Sequence, residues 1–385
     1  MALLQADTIP LSLYIHMPWC VRKCPYCDFN SHAAGNIEEE AYIDALLQDF
    51  DGELELPGVR NRGITSIFIG GGTPSLFSAD AIKRLLSGIA QRAVCGAAEV
   101  TLEANPGSAD SSKFAGYREA GVNRLSIGIQ SFDDAKLAVL GRIHNRETAM
   151  QAIEKARIAG FDNLNLDLMY GLPEQSEDEA MLDLQQAISF QPEHLSWYQL
   201  TLEPNTPFHH SPPAGLADND QLADLSARGI EQLQQAGYSQ YEVSAYAQPG
   251  KACRHNLNYW QFGDYLGIGA GAHAKITLKD GTIVRRHKQR HPQRYLASVT
   301  AADALSSSRV LTEDDLRLEF MMSALRLNAG FRQQDYELRT GLAFSSIEET
   351  LGEQVKKGLL ERSGDSWRAS ESGRLHLDSL LLDFS

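Results

Sequence analysis

The sequence predicts an α/β protein: an incomplete, TIM-like (β/α)6 barrel followed by a C-terminal helical, winged-helix-like module. Three observations carry this. Six short apolar runs alternate with amphipathic stretches through the first two hundred residues. Helix-start signals fall between those runs. After Thr312 the pattern changes to helices closed by a β-ribbon. The expected division is 1–202 for the partial barrel, 203–300 for an extension of it, and 301–385 for the C-terminal module.

The strands expected, in order, are Leu11–His16, Ile64–Gly70, Glu99–Glu103, Arg124–Ile129, Leu164–Met169 and His194–Leu200. Most are short and apolar, which predicts burial on both faces of a parallel sheet. After the first strand, Ile43, Leu46, Leu47, Phe50 and Leu54 recur at the spacing of one helix face. Ser78, Asn145 and Ser176 each precede a helical stretch as N-caps, and Glu179 completes a capping box with Ser176. Glu203–Gly215 holds four prolines and two histidines, so regular structure stops there. A helix through Leu222, Leu225, Ile230 and Leu233 and a strand around Tyr241–Val243 follow. Pro249–Lys275, rich in glycine, aromatics and histidine, reads as a long functional loop. Thr312 with Asp315 caps a helix through Leu316, Phe320, Met321 and Leu325. Helices at about 332–339 and 345–358 follow, then a ribbon of Leu359–Glu361 and Trp367–Ala369.

Composition narrows the function classes. Apolar residues make up 43% and charged residues 22%, as in folded globular chains. The formal net charge of −15 argues against nucleic acid as a partner, because such partners call for a basic face. One local basic run, Arg285, Arg286, His287, Lys288, Arg290, His291 and Arg294, reads either as a solvated surface strand or as a docking surface for acidic groups. No apolar run reaches 18 residues, so no membrane insertion is expected, and Met1–Pro10 lacks the pattern of a signal peptide. Three of the five cysteines crowd into eight positions, which reads as metal ligation in a cytoplasmic protein rather than a disulfide framework.

That cluster is Cys20-x3-Cys24-x2-Cys27, directly after the first strand. Three thiolates suit three irons of a [4Fe–4S] cube and leave the fourth iron open to an outside chelator such as S-adenosylmethionine. Zinc stays open as the other reading if His16 or His32 supplies a fourth ligand. Gly70-Gly71-Gly72-Thr73-Pro74 ends the second strand, either as a tight turn or as backbone against which a ligand lies. Glu103, Gln130, Arg142 and Asp167 stand at or just past C-terminal strand ends, the rim where β/α barrels bind ligands.

The cysteine motif with Tyr14 and the glycine run resembles the radical-SAM superfamily. More narrowly it is similar to the branch holding oxygen-independent coproporphyrinogen III oxidase and the HemW group of heme chaperones. The resemblance runs from Leu11 to the C-terminal module. It implies a [4Fe–4S] cluster on Cys20, Cys24 and Cys27, with S-adenosylmethionine beside it. It further implies that Gly71, Gly72 and Thr73 hold the methionine end, that Tyr26 contacts adenine and that Tyr14 lies near the methionyl group. By the same resemblance Glu103, Gln130, Arg142 and Asp167 contact the cofactor, Arg142 through a carboxylate.

Within the branch, two departures separate this chain from the oxidases. Phe29 stands where they resemble a fourth cysteine, and the first cysteine comes early, at position 20. The segment Cys253-Arg254-His255-Asn256-Leu257-Asn258-Tyr259-Trp260 instead resembles the heme-binding motif of the chaperones. Physically, His255 offers an imidazole for heme iron, Tyr259 and Trp260 offer flat faces, and Asn256 a polar handle. A core histidine among packing aromatics remains the alternative, as does Cys253 for the iron. The expectation is a heme chaperone that delivers heme to acceptor hemoproteins such as respiratory enzymes and forms a possible homodimer. The alternative is a coproporphyrinogen III dehydrogenase in porphyrin metabolism that uses the adenosyl radical.

Overall fold

The computed structural model describes residues 4–35, 37–108, 111–300 and 304–384. The expected boundary at 300/301 abuts residues 301–303, outside that set. Twelve strands form one sheet: β1 (Leu11–Met17), β2 (Ile64–Gly71), β3 (Glu99–Ala104), β4 (Arg124–Gln130), β5 (Leu164–Tyr170), β6 (His194–Gln199), β7 (Ser239–Glu242), β8 (Ala245–Ala247), β9 (Asp264–Ile268), β10 (His273–Thr277), β11 (Ile283–Lys288) and β12 (Leu305–Val310). Their spatial order is β12-β11-β10-β9-β1-β2-β3-β4-β5-β6-β8-β7. The six strands read from the sequence lie in parallel register, each within a residue or so of its expected end. β9 adds a parallel neighbour on the far side of β1, pairing Tyr14 with Gly267. Antiparallel strands then extend both edges.

The strands are buried on both faces, as expected, but only one of those faces is mainly apolar. Leu13, Ile15, Ile67, Ile69, Leu102, Leu125, Ile127 and Leu166 pack outward in one core with Leu46, Phe50, Ile82, Leu85, Phe114, Ile153 and Leu184 of the covering helices. Each such side chain contributes about 1.5–3 kcal/mol on burial. The alternate positions are Ser12, Tyr14 and His16; Ser66 and Phe68; Thr101 and Glu103; Arg124, Ser126 and Gly128; Asn165 and Asp167; His194, Ser196 and Tyr198. Successive strand residues face opposite sides, so this mostly polar set shares the other face. Most of its members are buried, which makes it a polar interior rather than a solvated surface.

The expected caps form. The Ser78 side chain accepts from Ala81 N, Asn145 from Thr148 N, and Ser176 and Thr312 each make a full capping box. The C-terminal module gathers its own core around Phe320, Tyr336, Leu351 and Trp367, with Phe262 and Ile283 entering from the extension. Its ribbon, Leu360–Ser363 paired with Ser366–Ala369, takes a third strand at Phe331–Arg332.

Two readings of local segments change. Pro249–Lys275 is not a loop: it holds the helix Arg254–Trp260, β9 and most of β10. Its glycines permit this packing, since a Cβ at Gly267 would lie 2.0 Å from His273 O. The basic run is only partly a surface. Lys288 is buried between Asp49 and Glu53, both at 2.5 Å, Arg286 also reaches Glu53, and Arg285 pairs with Glu319. Those carboxylates arrive from distant helices, which local sequence does not reveal.

Candidate functional site

A cavity of about 340 Å³ opens at the C-terminal ends of the parallel strands. Residues from β2 through β6 line it together. In a flat sheet β2 and β6 would stand about 19 Å apart, so the sheet curls around this space.

Cys20, Cys24 and Cys27 line the mouth. The loop carrying them is held at its ends, where Trp19–Cys20 bridges His32–Ala33 and Cys27 N donates to Cys24 O at 3.2 Å. Thr73 Oγ1 donates to Cys20 Sγ at 3.5 Å, and Arg142 Nη1 donates to Cys24 Sγ at 3.7 Å. Burial pushes the Cys20 thiol up and Cys27 to about 11, so metal binding here must displace protons. His16 is not free to complete a zinc set. His16 uses both nitrogens, Nδ1 with Tyr14 OH at 2.9 Å and Nε2 with Asn30 O at 2.8 Å. His32 packs against His291 at 5.3 Å between ring centroids, outside the cavity lining. Three thiols, with no fourth ligand grouped with them among the described residues, suit a cluster that keeps one iron open.

The glycine run is required by the chain itself. Gly71 has φ +110°, and a Cβ there would meet the His16 ring at 2.4 Å. A Cβ on Gly72 would lie 2.5 Å from Trp19 O. Both residues still border the cavity together with Thr73. Tyr14 does not line it. Its hydroxyl holds His16, whose ring fills the space beneath Gly71, so Tyr14 acts on the cavity through that contact.

Glu103, Gln130, Arg142 and Asp167 all converge on the cavity. Glu103 Oε2 accepts from Gly71 N at 3.0 Å, and burial with the Asp167 charge pushes its carboxyl up to about 7. Asp167, itself raised by burial, accepts from Ser126 Oγ at 3.0 Å and Asn165 Nδ2 at 2.8 Å. Gln130 has φ +70° beside a break in the β4–β5 register, which re-aims its side chain. Its amide oxygen accepts from Tyr198 OH at 2.6 Å. Arg142 donates to Gly128 O at 2.8 Å, while its Nε is buried without a partner. Tyr26, near Phe208, closes one side. Sequence reasoning missed Ser126, Ser196, Tyr198 and Asn105, which also line the cavity. The signal for the first three was the polar alternation along β4 and β6.

The His255 segment lies apart from this lining. His255 Nδ1 is 3.2 Å from Ser66 Oγ, with its ring 5.1 Å from Phe68 and 6.4 Å from Tyr14, between centroids. It therefore faces the same polar interior. Burial, then the nearby Arg124 charge, lowers its pKa to about 3, which keeps the imidazole neutral. The four motif residues do not share one surface. Tyr259 is exposed beside Tyr265, Trp260 stacks under Arg326 of the C-terminal module at 4.5 Å, and the Asn256 N–H meets the Cys253 thiol. Asn258, not singled out from the sequence, is buried and donates to Ser12 Oγ and Asp264 O, both at 2.9 Å. The Cys253 thiol is buried against Glu99 at 3.4 Å.

The Radical SAM superfamily model matches residues 14–186, and the HemN C-terminal domain model matches residues 311–376. The chain is 49% identical over 374 residues to the heme chaperone HemW of Escherichia coli (strain K12), covering 97% of each. It is 48% identical over 376 residues to that of Haemophilus influenzae, again covering 97% of each. Identity to the mouse radical S-adenosyl methionine domain-containing protein 1, mitochondrial, is 37% over 96% of this chain and 86% of that one. Among solved structures, the coproporphyrinogen III oxidase HemN of Escherichia coli, described as a radical SAM enzyme, superposes with a TM-score of 0.80. That match covers 98% of this chain and 90% of the other at 24% identity, a likeness of fold.

Proposed function

The chain belongs to the HemW family of heme chaperones within the radical-SAM superfamily, and on that premise we propose that it binds heme and passes it to acceptor hemoproteins such as respiratory enzymes. Cys20, Cys24 and Cys27 would hold a [4Fe–4S] cluster with S-adenosylmethionine on its open iron. When bound, that pair supplies one-electron chemistry. The chain's own residues orient and neutralise. Arg142, with an orphan buried donor, meets a carboxylate. Glu103 and Asp167 accept from amino or hydroxyl groups, and Gln130 is held by Tyr198. Gly71, Gly72 and Thr73 give close backbone approach, Tyr26 offers a face to adenine, and Tyr14 positions His16 beneath the glycines.

Heme iron takes His255. Ser66 fixes one ring nitrogen, which leaves Nε2 for the metal, and a neutral imidazole is the form that ligates. Asn256, Tyr259 and Trp260 follow it in the chain but turn to different neighbours, so His255 alone carries the ligand role. The observation that supports this reading is that His255 packs on Ser66, Phe68 and Tyr14, residues of the same inward sheet face that carries Glu103 and Asp167 at the cysteine cavity. The protein acts in the cytoplasm, and two copies associate. No helix among the described residues is long and apolar enough to cross a membrane.

One anaerobic preparation tests the proposal through two readouts. Heme titration should reach about one tightly held equivalent per chain, and His255→Ala should weaken it at least tenfold; unchanged affinity removes that ligand. Conversion of coproporphyrinogen III with S-adenosylmethionine would instead assign the chain to the dehydrogenases.

A further inference from the structure

A chain of polar side chains runs behind Asp167 through the barrel interior. Asn165 and Asp167 stand two apart on β5 and so share its inward face. Sheet register then sets their neighbours. His194 of β6 lies directly opposite Asn165, Ser196 opposite Asp167, and Ser126 of β4 opposite Asn165 on the other side. Asn165, His194 and Ser126 are all buried, so their polar atoms need partners inside the protein.

The bonds among them run one way. Asn165 Nδ2 donates to Asp167 Oδ1 and to Ser126 Oγ, both at 2.8 Å. With its nitrogen turned to the carboxyl, the amide presents Oδ1 to His194 Nδ1, 2.6 Å away. That ring nitrogen therefore carries the proton. Burial, then the Arg124 charge, holds the imidazole's pKa well below its usual value, so the ring is neutral and Nε2 is bare. Nε2 accepts from Tyr241 OH at 2.8 Å. The Tyr241 oxygen accepts in turn from Cys253 N–H, where the His255 helix begins. Every link donates toward Asp167, and hydrogen bonds of one sense polarise one another.

We infer that His194 is a positioning residue for the cavity: acting through Asn165, it fixes Asp167 as an acceptor for a hydroxyl or amino group of the cofactor. Asp167 is gripped on both oxygens, Oδ1 by Asn165 and Oδ2 by Ser126 at 3.0 Å. Those donors oppose the burial that raises its pKa and favour the charged, accepting form. The grip depends on the amide's orientation. Without His194, Asn165 Oδ1 keeps Ser196 Oγ at 3.1 Å, a hydroxyl that accepts as readily as it donates. The amide could then turn its oxygen to Asp167, which suits a protonated carboxyl that donates instead. This rests on the reading that Asp167 contacts the cofactor.

Calorimetric titration of S-adenosylmethionine into anaerobic protein carrying an oxidised cluster tests it. His194→Leu should weaken binding about tenfold. His194→Asn, whose amide donates from the place of Nδ1, should restore most of it. The effect should pass through the carboxyl, so His194→Leu should add nothing in an Asp167→Asn background. Should His194→Leu fail to fold, His194→Gln replaces it, because its amide reaches toward Tyr241 rather than Asn165. Nitrogen-15 spectra of histidine-labelled protein, with the signal assigned by its loss in His194→Asn, should show an Nδ1–H ring that does not titrate between about pH 5 and 8. An Nε2–H ring, or a full further loss in the double variant, overturns the positioning role while leaving Asp167 as a cofactor contact. Unchanged affinity in Asp167→Asn alone overturns that contact, and the role of His194 with it.

Discussion

Glu103 and Asp264 are both carboxyls of the same sheet, one at the C-terminal end of β3 and one at the start of β9, and their surroundings differ sharply. Glu103 accepts one backbone N–H and faces Asp167, with no cation bonded to it among the described residues. Asp264 accepts from Lys275 Nζ at 3.0 Å, Thr277 N and Oγ1 at 3.0 Å, and pairs with Arg62 at 2.8 Å. Burial pushes both carboxyls up. At Asp264 the Lys275 and Arg62 charges outweigh burial and hold it below the usual range; at Glu103 nothing does. The mouth of the barrel is left electrostatically unfinished and the floor is closed. A site that must receive a charged group keeps its partners unpaired, whereas a site that only supports the fold satisfies them internally.

Four substitutions sharpen or break that contrast. Cys24→Ser at the mouth should abolish the four-iron absorbance of reconstituted protein while leaving unfolding free energy within about 0.5 kcal/mol, the range of surface changes. A retained full cluster would remove Cys24 from the ligand set. At the floor, Asp264→Ala leaves Arg62 and Lys275 buried without their anion and should cost about 3–5 kcal/mol in urea unfolding. If it costs under 1, the floor is not the closed network described. Glu103→Gln addresses pH. The folded carboxyl titrates near 7 against 4.5 unfolded, so the folded state holds a proton the unfolded chain has shed. Wild-type stability should therefore fall as pH rises from about 4.5 to 7, by on the order of 2–3 kcal/mol at most. The Gln variant should lose that slope. Asp264 has the opposite sign, and its contribution disappears only as pH drops below 3.8 and through its lower folded value. The smallest effect belongs to Ser66→Ala. It removes a bond to Ser12 Oγ at 2.7 Å and the support of His255, costing about 1 kcal/mol. Heme affinity should fall with it; affinity that stays unchanged would mean that Ser66 does not orient the imidazole.

Much of this was legible in the residues. Strand positions and helix starts follow from local rules, since Ser78, Asn145, Ser176 and Thr312 cap through bonds that reach only three residues ahead. The cysteine spacing and the glycine run pointed to the mouth because those features are contiguous. The polar alternation Ser126-x-Gly128-x-Gln130 was equally present in the sequence, but only its last member, Gln130, stands out when most runs are read as apolar. A polar interior, not a second helix layer, covers that face.

Other features had no local signature. Lys288 reads as one more cation in a basic run until Asp49 and Glu53 arrive from a helix more than two hundred residues earlier. Pro249–Lys275 reads as a loop because a seven-residue helix and two short strands give too few periods to recognise. The sequence by itself determined the order of strands and helices, the three thiols and the chemical type of each group at the rim, all set by short-range spacing and side-chain identity. Tertiary structure alone decided that β9 joins β1, that Asp264 meets two cations while Glu103 pairs with none among the described residues, and that His255 packs against Ser66 and Phe68 of a strand far away in sequence. Those outcomes depend on curling the sheet and on which distant charges burial brings together.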